Sequence, residues 1–327
     1  MVGCSGQKKD SKKEDADDKS KEIAVTIEPL RYFAAKIAGG NYTFFSIVPV
    51  GRSPETYDPS PREMIRVGQS KAYFHINQLG LEQVLIKSVR ENNAGTQLFD
   101  ISEGMNFHIN EGYADVEEIN DAKVYPPDEC VHGDECSHTE GSHGEEGVGR
   151  SDGVSHIHGH SCHEGHDPHI WTSFAGARTM SENIYKAFAS FDSDKSAYYQ
   201  SNYLHLINEL ELLESALHKQ LDTLSYRGFV IYHPALTYFA EEFGLIQYSI
   251  EGDGKEPSPS SLKELIEKAR AAQVKVVFVQ MEFDRKYAEQ IAAEIGARVV
   301  VINPLDDKWD EQMKRIAKAL ATNGEVN

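Results

Sequence analysis

The sequence predicts an α/β protein of two lobes, each built on a parallel sheet, joined by a connecting helix. Three observations carry this reading. Short apolar runs alternate with helical stretches in both halves of the chain, the pattern of parallel sheets covered by helices. Two long stretches free of proline, 174–191 and 201–224, separate the halves. A length of 327 residues is enough for two domains of ordinary size, each burying its own core.

The elements follow in order. Residues 23–29 (IAVTIEP) read as a strand, and 30–37 as a helix stopped near Gly39 and Gly40. Residues 43–50 are apolar enough to lie inside a parallel sheet, and the loop 51–61 carries turn residues. A helix over 61–69, a strand over 72–76 and a helix over 81–91 complete the first series. In the second half, strands are predicted at 229–232, 247–250, 274–280 and 298–302, and helices at 236–243, 260–272 and 285–295. Gly244 and Gly296 close two of these helices. Of the stretches between the two series, 174–191 is expected to connect the lobes. The other carries Leu204, Ile207, Leu210, Leu213, Leu217 and Leu221 on one apolar stripe and is expected to pack on the C-terminal lobe. The predicted division is therefore a tether over 1–22, an N-terminal lobe over 23–168, a connecting helix over 169–191 and a C-terminal lobe over 192–327.

A formal charge of −19 with no basic stripe excludes nucleic acid as a partner, since a polyanion would be repelled over most of the surface. No apolar run approaches the roughly 20 residues of a spanning helix. The chain opens MVGCSG before a charged tract without a helical stripe. A small residue before a near-terminal Cys resembles the end of a bacterial lipoprotein signal. Cys4 is then expected to be acylated, its apolar leader already removed, with the polar tract as a tether to a membrane outside the cytoplasm.

Residues 130–166, inside the N-terminal lobe, concentrate histidine, cysteine, aspartate and glutamate with almost no core-forming residues. Imidazoles, thiolates and carboxylates are the ligands of zinc and its neighbours, and the intervening Gly and Ser leave the backbone free to wrap an ion. The spacing does not give the two tight pairs of a structural zinc finger. His156, His158 and His160 alternate, with His163 and His166 beyond, so several overlapping weak sites are expected rather than one closed one. Cys130, Cys136 and Cys162 form an odd set, compatible with one disulfide and a spare thiol or with three reduced ligands.

Ligands in open α/β sheets sit beyond the carboxyl ends of strands. Three histidines fall at such places: His75 in AYFHI, His169 in DPHIW ahead of the connecting helix, and His233 directly after FVIY. His108, His205 and His218 are expected to serve packing alone.

The segments VGRSPETYDPSPREM, NQLGLE, DPHIW, YHPALTYFAEEFGL, EPSPSSLKELIEKA, VKVVFVQMEFDRKYAEQIAAEIGARVVV and INPL occur in this order along the chain. In order and spacing they resemble the metal-binding solute receptors of zinc and manganese ABC importers, closest to the zinc-uptake type. The resemblance runs from residue 23 to the C-terminus, and the histidine-rich insertion ahead of DPH is similar to that of the zinc members. It implies a metal held between two lobes, with His169 and His233 matching family ligands. Where the family usually has a first histidine, this chain has Glu55, and where it often has Asp in D-P-L, this chain has Asn303. His75 is favoured as the inner nitrogen that replaces the first, with Glu55 as a fourth ligand or as a partner orienting an imidazole. Asp306 or water would take the last place.

The resemblance implies a monomeric receptor that is not an enzyme and that works with an ABC permease and its cytoplasmic ATPase. Zn2+ is the expected ion, with Mn2+ as the alternative, because nitrogen-rich ligation favours zinc. A zinc hydrolase and a surface adhesin are the rival classes. No H-E-x-x-H motif is present to support the hydrolase.

Overall fold

The computed structural model describes residues 21–93, 95–108, 166–252 and 257–322. Residues 1–20 of the tether, with Cys4, and the part of the histidine-rich loop that carries Cys130, Cys136, Cys162, His156, His158, His160 and His163, lie outside the described residues. No helix among the described residues is long and apolar enough to cross a membrane.

The N-terminal lobe runs β1 (Glu22–Val25), α1 (Glu28–Ala38), β2 (Thr43–Ser46), α2 (Pro61–Gln69), β3 (Ala72–His75), α3 (Gly80–Asn92) and β4 (Gln97–Asp100). Its four strands are all parallel in the order β2-β1-β3-β4, with Ile23 opposite both Phe44 and Ala72. Helices cover the sheet, so β3 is buried along its whole length, as its unbroken AYFH run requires. Local chemistry fixes the helix ends. At α2 the Ser60 hydroxyl accepts from the Glu63 N–H while Glu63 accepts from the Ser60 N–H, and Pro61 opens the first turn. At the end of α1, Gly39 takes a left-handed φ of 57°.

Glu82, in the first turn of α3, is wholly buried. Its carboxylate accepts from the Thr26 hydroxyl at 2.5 Å and from the N–H groups of Ile76, Gln78 and Leu79 at 3.1–3.2 Å. It thereby pins the turn that follows β3. Burial pushes this carboxyl up to about 7, against the pull of those donors.

After two helices, α4 (Phe174–Phe191) and α5 (Ser196–Leu221), the C-terminal lobe repeats the winding with β5 (Gly228–Ile231), α6 (Thr237–Glu242), β6 (Ile246–Ser249), α7 (Pro259–Ala271), β7 (Val276–Gln280), α8 (Lys286–Ile295) and β8 (Arg298–Ile302). The strand order is β6-β5-β7-β8, again all parallel. In each sheet the winding reverses between the two central strands, which opens a crevice beyond their carboxyl ends.

α4 (Phe174–Phe191) lies where the sequence places its connecting helix, and Glu242 of α6 accepts from the Phe174 and Ala175 N–H groups at its start. α5 (Ser196–Leu221) departs from expectation. Its buried positions are Tyr199, Leu206, Leu210, Leu217 and Leu221, whereas Leu204 is exposed. It packs on the N-terminal lobe as well: Asn202 Nδ2 donates to the Ile37 carbonyl at 3.0 Å, and Lys36 pairs with Glu209 at 2.5 Å.

Two elements were not anticipated. β4 is one exposed and three half-buried residues with no apolar run. α9 (Trp309–Ala321) carries Trp309, Met313, Ile316, Ala317 and Leu320 at helical spacing, and its start clasps the lobes together. Trp309 Nε1 donates to the Trp171 carbonyl at 2.5 Å, Trp171 Nε1 donates to the Pro304 carbonyl at 3.1 Å, and the Trp309 ring packs on Phe33 and Phe174.

Candidate metal centre

The crevice between the lobes collects one carboxylate and two imidazoles. Glu55 sits in the turn-rich loop between β2 and α2, its N–H donating to the Ser53 hydroxyl at 3.3 Å. His169 precedes the short 3-10 turn Ile170–Thr172 that leads into α4. Asp167 Oδ1 accepts from both the backbone N–H of His169, at 2.9 Å, and its Nδ1–H, at 2.7 Å. This fixes the ring and leaves Nε2 facing the cavity.

His233 follows β5 at the reversal point of the C-terminal sheet, and Gln280 at the end of neighbouring β7 holds its backbone. The Gln280 side-chain Oε1 accepts from the His233 N–H at 3.3 Å, and Nε2 of the same side chain donates to the His233 carbonyl at 2.7 Å. Phe283 stacks on the imidazole at 5.5 Å between ring centres. Glu251 lies behind it, 3.5 Å from Nδ1.

The three donor atoms form a triangle. His233 Nε2 is 3.3 Å from His169 Nε2 and 3.2 Å from Glu55 Oε1, and His169 Nε2 is 3.8 Å from the same oxygen. Zinc–nitrogen bonds of about 2.0–2.1 Å place tetrahedral ligands about 3.3 Å apart, so the triangle has the size of one face of a zinc tetrahedron. These three residues are the group of metal-binding side chains that converge within 4.8 Å among the described residues. They line, with Ser53, Trp171, Gln280, Glu282 and Leu305, a cavity of about 10 Å3. That is room for one ion or one water.

The electrostatics ask for a cation. No Lys or Arg lines the cavity. Burial alone would lower the His233 pKa, but Glu251 and Glu55 outweigh it and push it up to about 10. Burial would likewise raise Glu55, yet the charges of His233 and His169 hold it below the ordinary carboxylate value. Asp167 is lowered in the same way by His169 against its own burial. Glu282 goes the other way: burial raises it despite the two nearby imidazoles.

Of the residues singled out from sequence, Glu55, His169 and His233 are brought together, and His75 and Asp306 are not. His75 ends β3 inside the N-terminal lobe, paired in register with Asp100 and 5.3 Å from the Tyr73 ring. Burial in that sheet lowers its pKa to about 4, with Asp100 pulling weakly the other way. The preference for His75 over Glu55 is therefore reversed, because β3 stops before the crevice while the loop after β2 reaches into it. Asp306 is spent on the Lys308 N–H at 2.9 Å and the Asn303 amide at 3.2 Å. Sequence reasoning passed over Asp167, although it stands two residues before His169 in the same motif, and also Glu251, Gln280 and Glu282, which become neighbours of the site only through sheet order. His108 pairs with Glu241 at 2.6 Å, and His218 packs on Phe243 at 4.7 Å between rings.

The family model described as the zinc-uptake complex component A, periplasmic, ZnuA, matches residues 23–323. The chain belongs to the ZnuA family. The high-affinity zinc uptake system protein ZnuA of Bacillus subtilis is 32% identical over 151 residues, which is 46% of this chain and 47% of that protein. The zinc-binding lipoprotein AdcA of Streptococcus pneumoniae serotype 4 is 24% identical over 316 residues, 96% of this chain and 54% of its own length. The chain thus spans about half the length of these two curated relatives. Among solved structures, a zinc-bound ZnuA deletion mutant superposes with a TM-score of 0.73 at 28% identity, covering 94% of this chain and 99% of that one. The two-lobed parallel α/β architecture is thus that of ZnuA.

Proposed function

We propose that this protein is an extracytoplasmic receptor that captures Zn2+ between its lobes, with Glu55 Oε1, His169 Nε2 and His233 Nε2 as ligands, and hands it to the permease of an ABC importer. The observation that carries the reading is the triangle of donor atoms, 3.2–3.8 Å on a side, in a cavity sized for one ion and lined without a cationic side chain. Family membership and zinc-named relatives support the same substrate and the same partner.

Ligand chemistry explains the choice of ion. Two imidazoles and a carboxylate suit zinc, whereas magnesium and calcium prefer all-oxygen shells. Mn2+ is disfavoured by the same nitrogen donors. Asp167 holds His169 in the tautomer that presents a lone pair at Nε2, and Gln280 holds His233 through its backbone, so little ordering remains to be done when the ion arrives.

The proposal extends to parts not described in the structure. Cys4 is acylated and anchors a monomer by the polar tract 1–22, and the histidines of 130–166 gather zinc near the cleft at weaker affinity. Release follows docking on the permease, through displacement of the Glu55 loop rather than wide opening. The hydrogen bonds from Trp309 to the Trp171 carbonyl and from Trp171 to the Pro304 carbonyl, with the Glu242 cap on α4, tie the lobes to the connecting helix.

Zinc titration by calorimetry, on the full chain and on a variant lacking 130–166, tests the reading. One tight site surviving the deletion and lost in His233→Ala is expected. Loss of all tight binding on deletion would place the function in the loop.

A further inference from the structure

Three protein ligands leave a four-coordinate zinc ion one bond short. The position at which the resemblance leads one to expect an aspartate carries Asn303, and that side chain is satisfied internally. Its Oδ1 accepts from the Leu305 N–H at 3.2 Å, and its Nδ2 donates to Asp306 at 3.2 Å. Asp306 in turn accepts from the Lys308 N–H and from the Gln312 amide. Neither residue lines the cavity.

The carboxylates around the site divide by position. Asp167 stands behind His169 and Glu251 behind His233, each toward an Nδ1 atom and away from the donor triangle. Only Glu55 and Glu282 line the cavity itself. Both polar atoms of the Gln280 side chain are taken by the His233 backbone. Glu282, two residues after the end of β7, has a buried Oε2 that no protein group hydrogen-bonds. A buried carboxylate oxygen without a donor is unfavourable unless a cation or donor meets it.

We propose that Glu282 is the fourth ligand to the captured ion, supplied by the C-terminal lobe from the strand beside His233. The assignment rests on the reading of the cavity as the zinc site. Glu282 is not within the 4.8 Å cluster of donor atoms, so its side chain turns inward as the ion enters. The backbone there is held, with the Met281 N–H on the Ile302 carbonyl at 3.1 Å and the Phe283 N–H on the Gln280 carbonyl at 3.1 Å. The movement is therefore one of side-chain torsions.

Two consequences follow. Two neutral imidazoles and two carboxylates cancel the charge of Zn2+, whereas Glu55 alone would leave a buried net positive charge. Each lobe then grips the ion with a carboxylate, Glu55 from one and Glu282 from the other, so displacing the Glu55 loop at the permease breaks one of two charged bonds.

The test uses the full chain. Cobalt(II) at one equivalent reports the coordination shell by its visible d–d bands, and His233→Ala gives the background from weaker sites. In the wild type, azide is expected to leave the cobalt bands unchanged, because no position is open. In Glu282→Gln, azide is expected to shift them, and zinc affinity is expected to fall by at least about 100-fold, since loss of even an outer partner costs about 10–100-fold. The melting temperature of metal-free Glu282→Gln is expected to equal or exceed the wild-type value. An azide-sensitive wild-type cobalt site, or zinc affinity in Glu282→Gln within about threefold of wild type, would overturn the assignment. Tight zinc binding that persists in His233→Ala would instead overturn the reading of the cavity on which it rests.

Discussion

Replacing Asp167 by Asn tests whether His169 works as a prearranged ligand. Asp167 Oδ1 accepts at 2.7 Å from Nδ1–H and at 2.9 Å from the backbone N–H of the same residue, and the pair is buried. The carboxylate makes Nε2 the lone-pair atom and fixes the ring. An Asn that keeps its oxygen toward the ring preserves the tautomer but loses the charge. One that turns its NH2 toward the ring forces the proton onto Nε2 and removes the ligand atom. Either way zinc affinity falls, by about 10–100-fold for the first arrangement, which is about 1.4–2.8 kcal/mol. Competition against a chromophoric chelator measures it, with His169→Ala as the floor. An affinity for Asp167→Asn within about threefold of wild type would refute the argument, because it would mean that neither charge nor tautomer at His169 matters.

Further outcomes follow from the same coordinates. His233 is pushed up to about 10 from an ordinary 6.5, so at neutral pH zinc must displace its proton. Affinity therefore rises with pH, and calorimetry at pH 7 in buffers of different ionisation enthalpy should show about one proton released per zinc from this residue; no release would count against it. In the metal-free protein the same raised value stabilises fully below pH 6.5 and is lost as pH climbs toward 10, so alkaline melting curves should separate metal-free from zinc-loaded protein. Glu82→Ala removes one partner of the Thr26 hydroxyl and strands three backbone N–H groups, and chemical denaturation should show a loss of about 3–5 kcal/mol; a loss below about 1 kcal/mol would contradict the buried network. Trp309→Ala removes a buried ring between Phe33 and Phe174 and should cost about 3–5 kcal/mol by the same assay.

Much of this architecture was legible in the chain. The helices at Pro61–Gln69 and Phe174–Phe191 and the strand Arg298–Ile302 fall at their predicted bounds, because a capping box, an uninterrupted helical stretch and an apolar run between turn residues are local signals. β4 gave no such signal: Gln97 to Asp100 are ordered by pairing with β3, a contact across the sheet rather than along the chain. α5 misled for a related reason. Leu204 and Leu206 are both apolar, and only tertiary packing decides that Leu206 is the buried one.

The site divided in the same way. His169 and His233 stand at element ends in recognisable motifs and could be named in advance. Whether Glu55 or His75 joins them depends on how far each backbone reaches toward the crevice, and the loop after β2 goes further than the last residue of β3. Gln280 and Glu282 come beside His233 only because β7 pairs with β5, with Val230 opposite Val277. That pairing is a property of strand order, to which no spacing in the sequence points.

Anomalous diffraction at the zinc edge, from crystals of the full chain loaded with one equivalent of zinc, tests the central claim most directly. The predicted result is a single strong peak within bonding distance of Glu55, His169 and His233. Zinc found only among the histidines of 130–166, with no peak between the lobes, would contradict it.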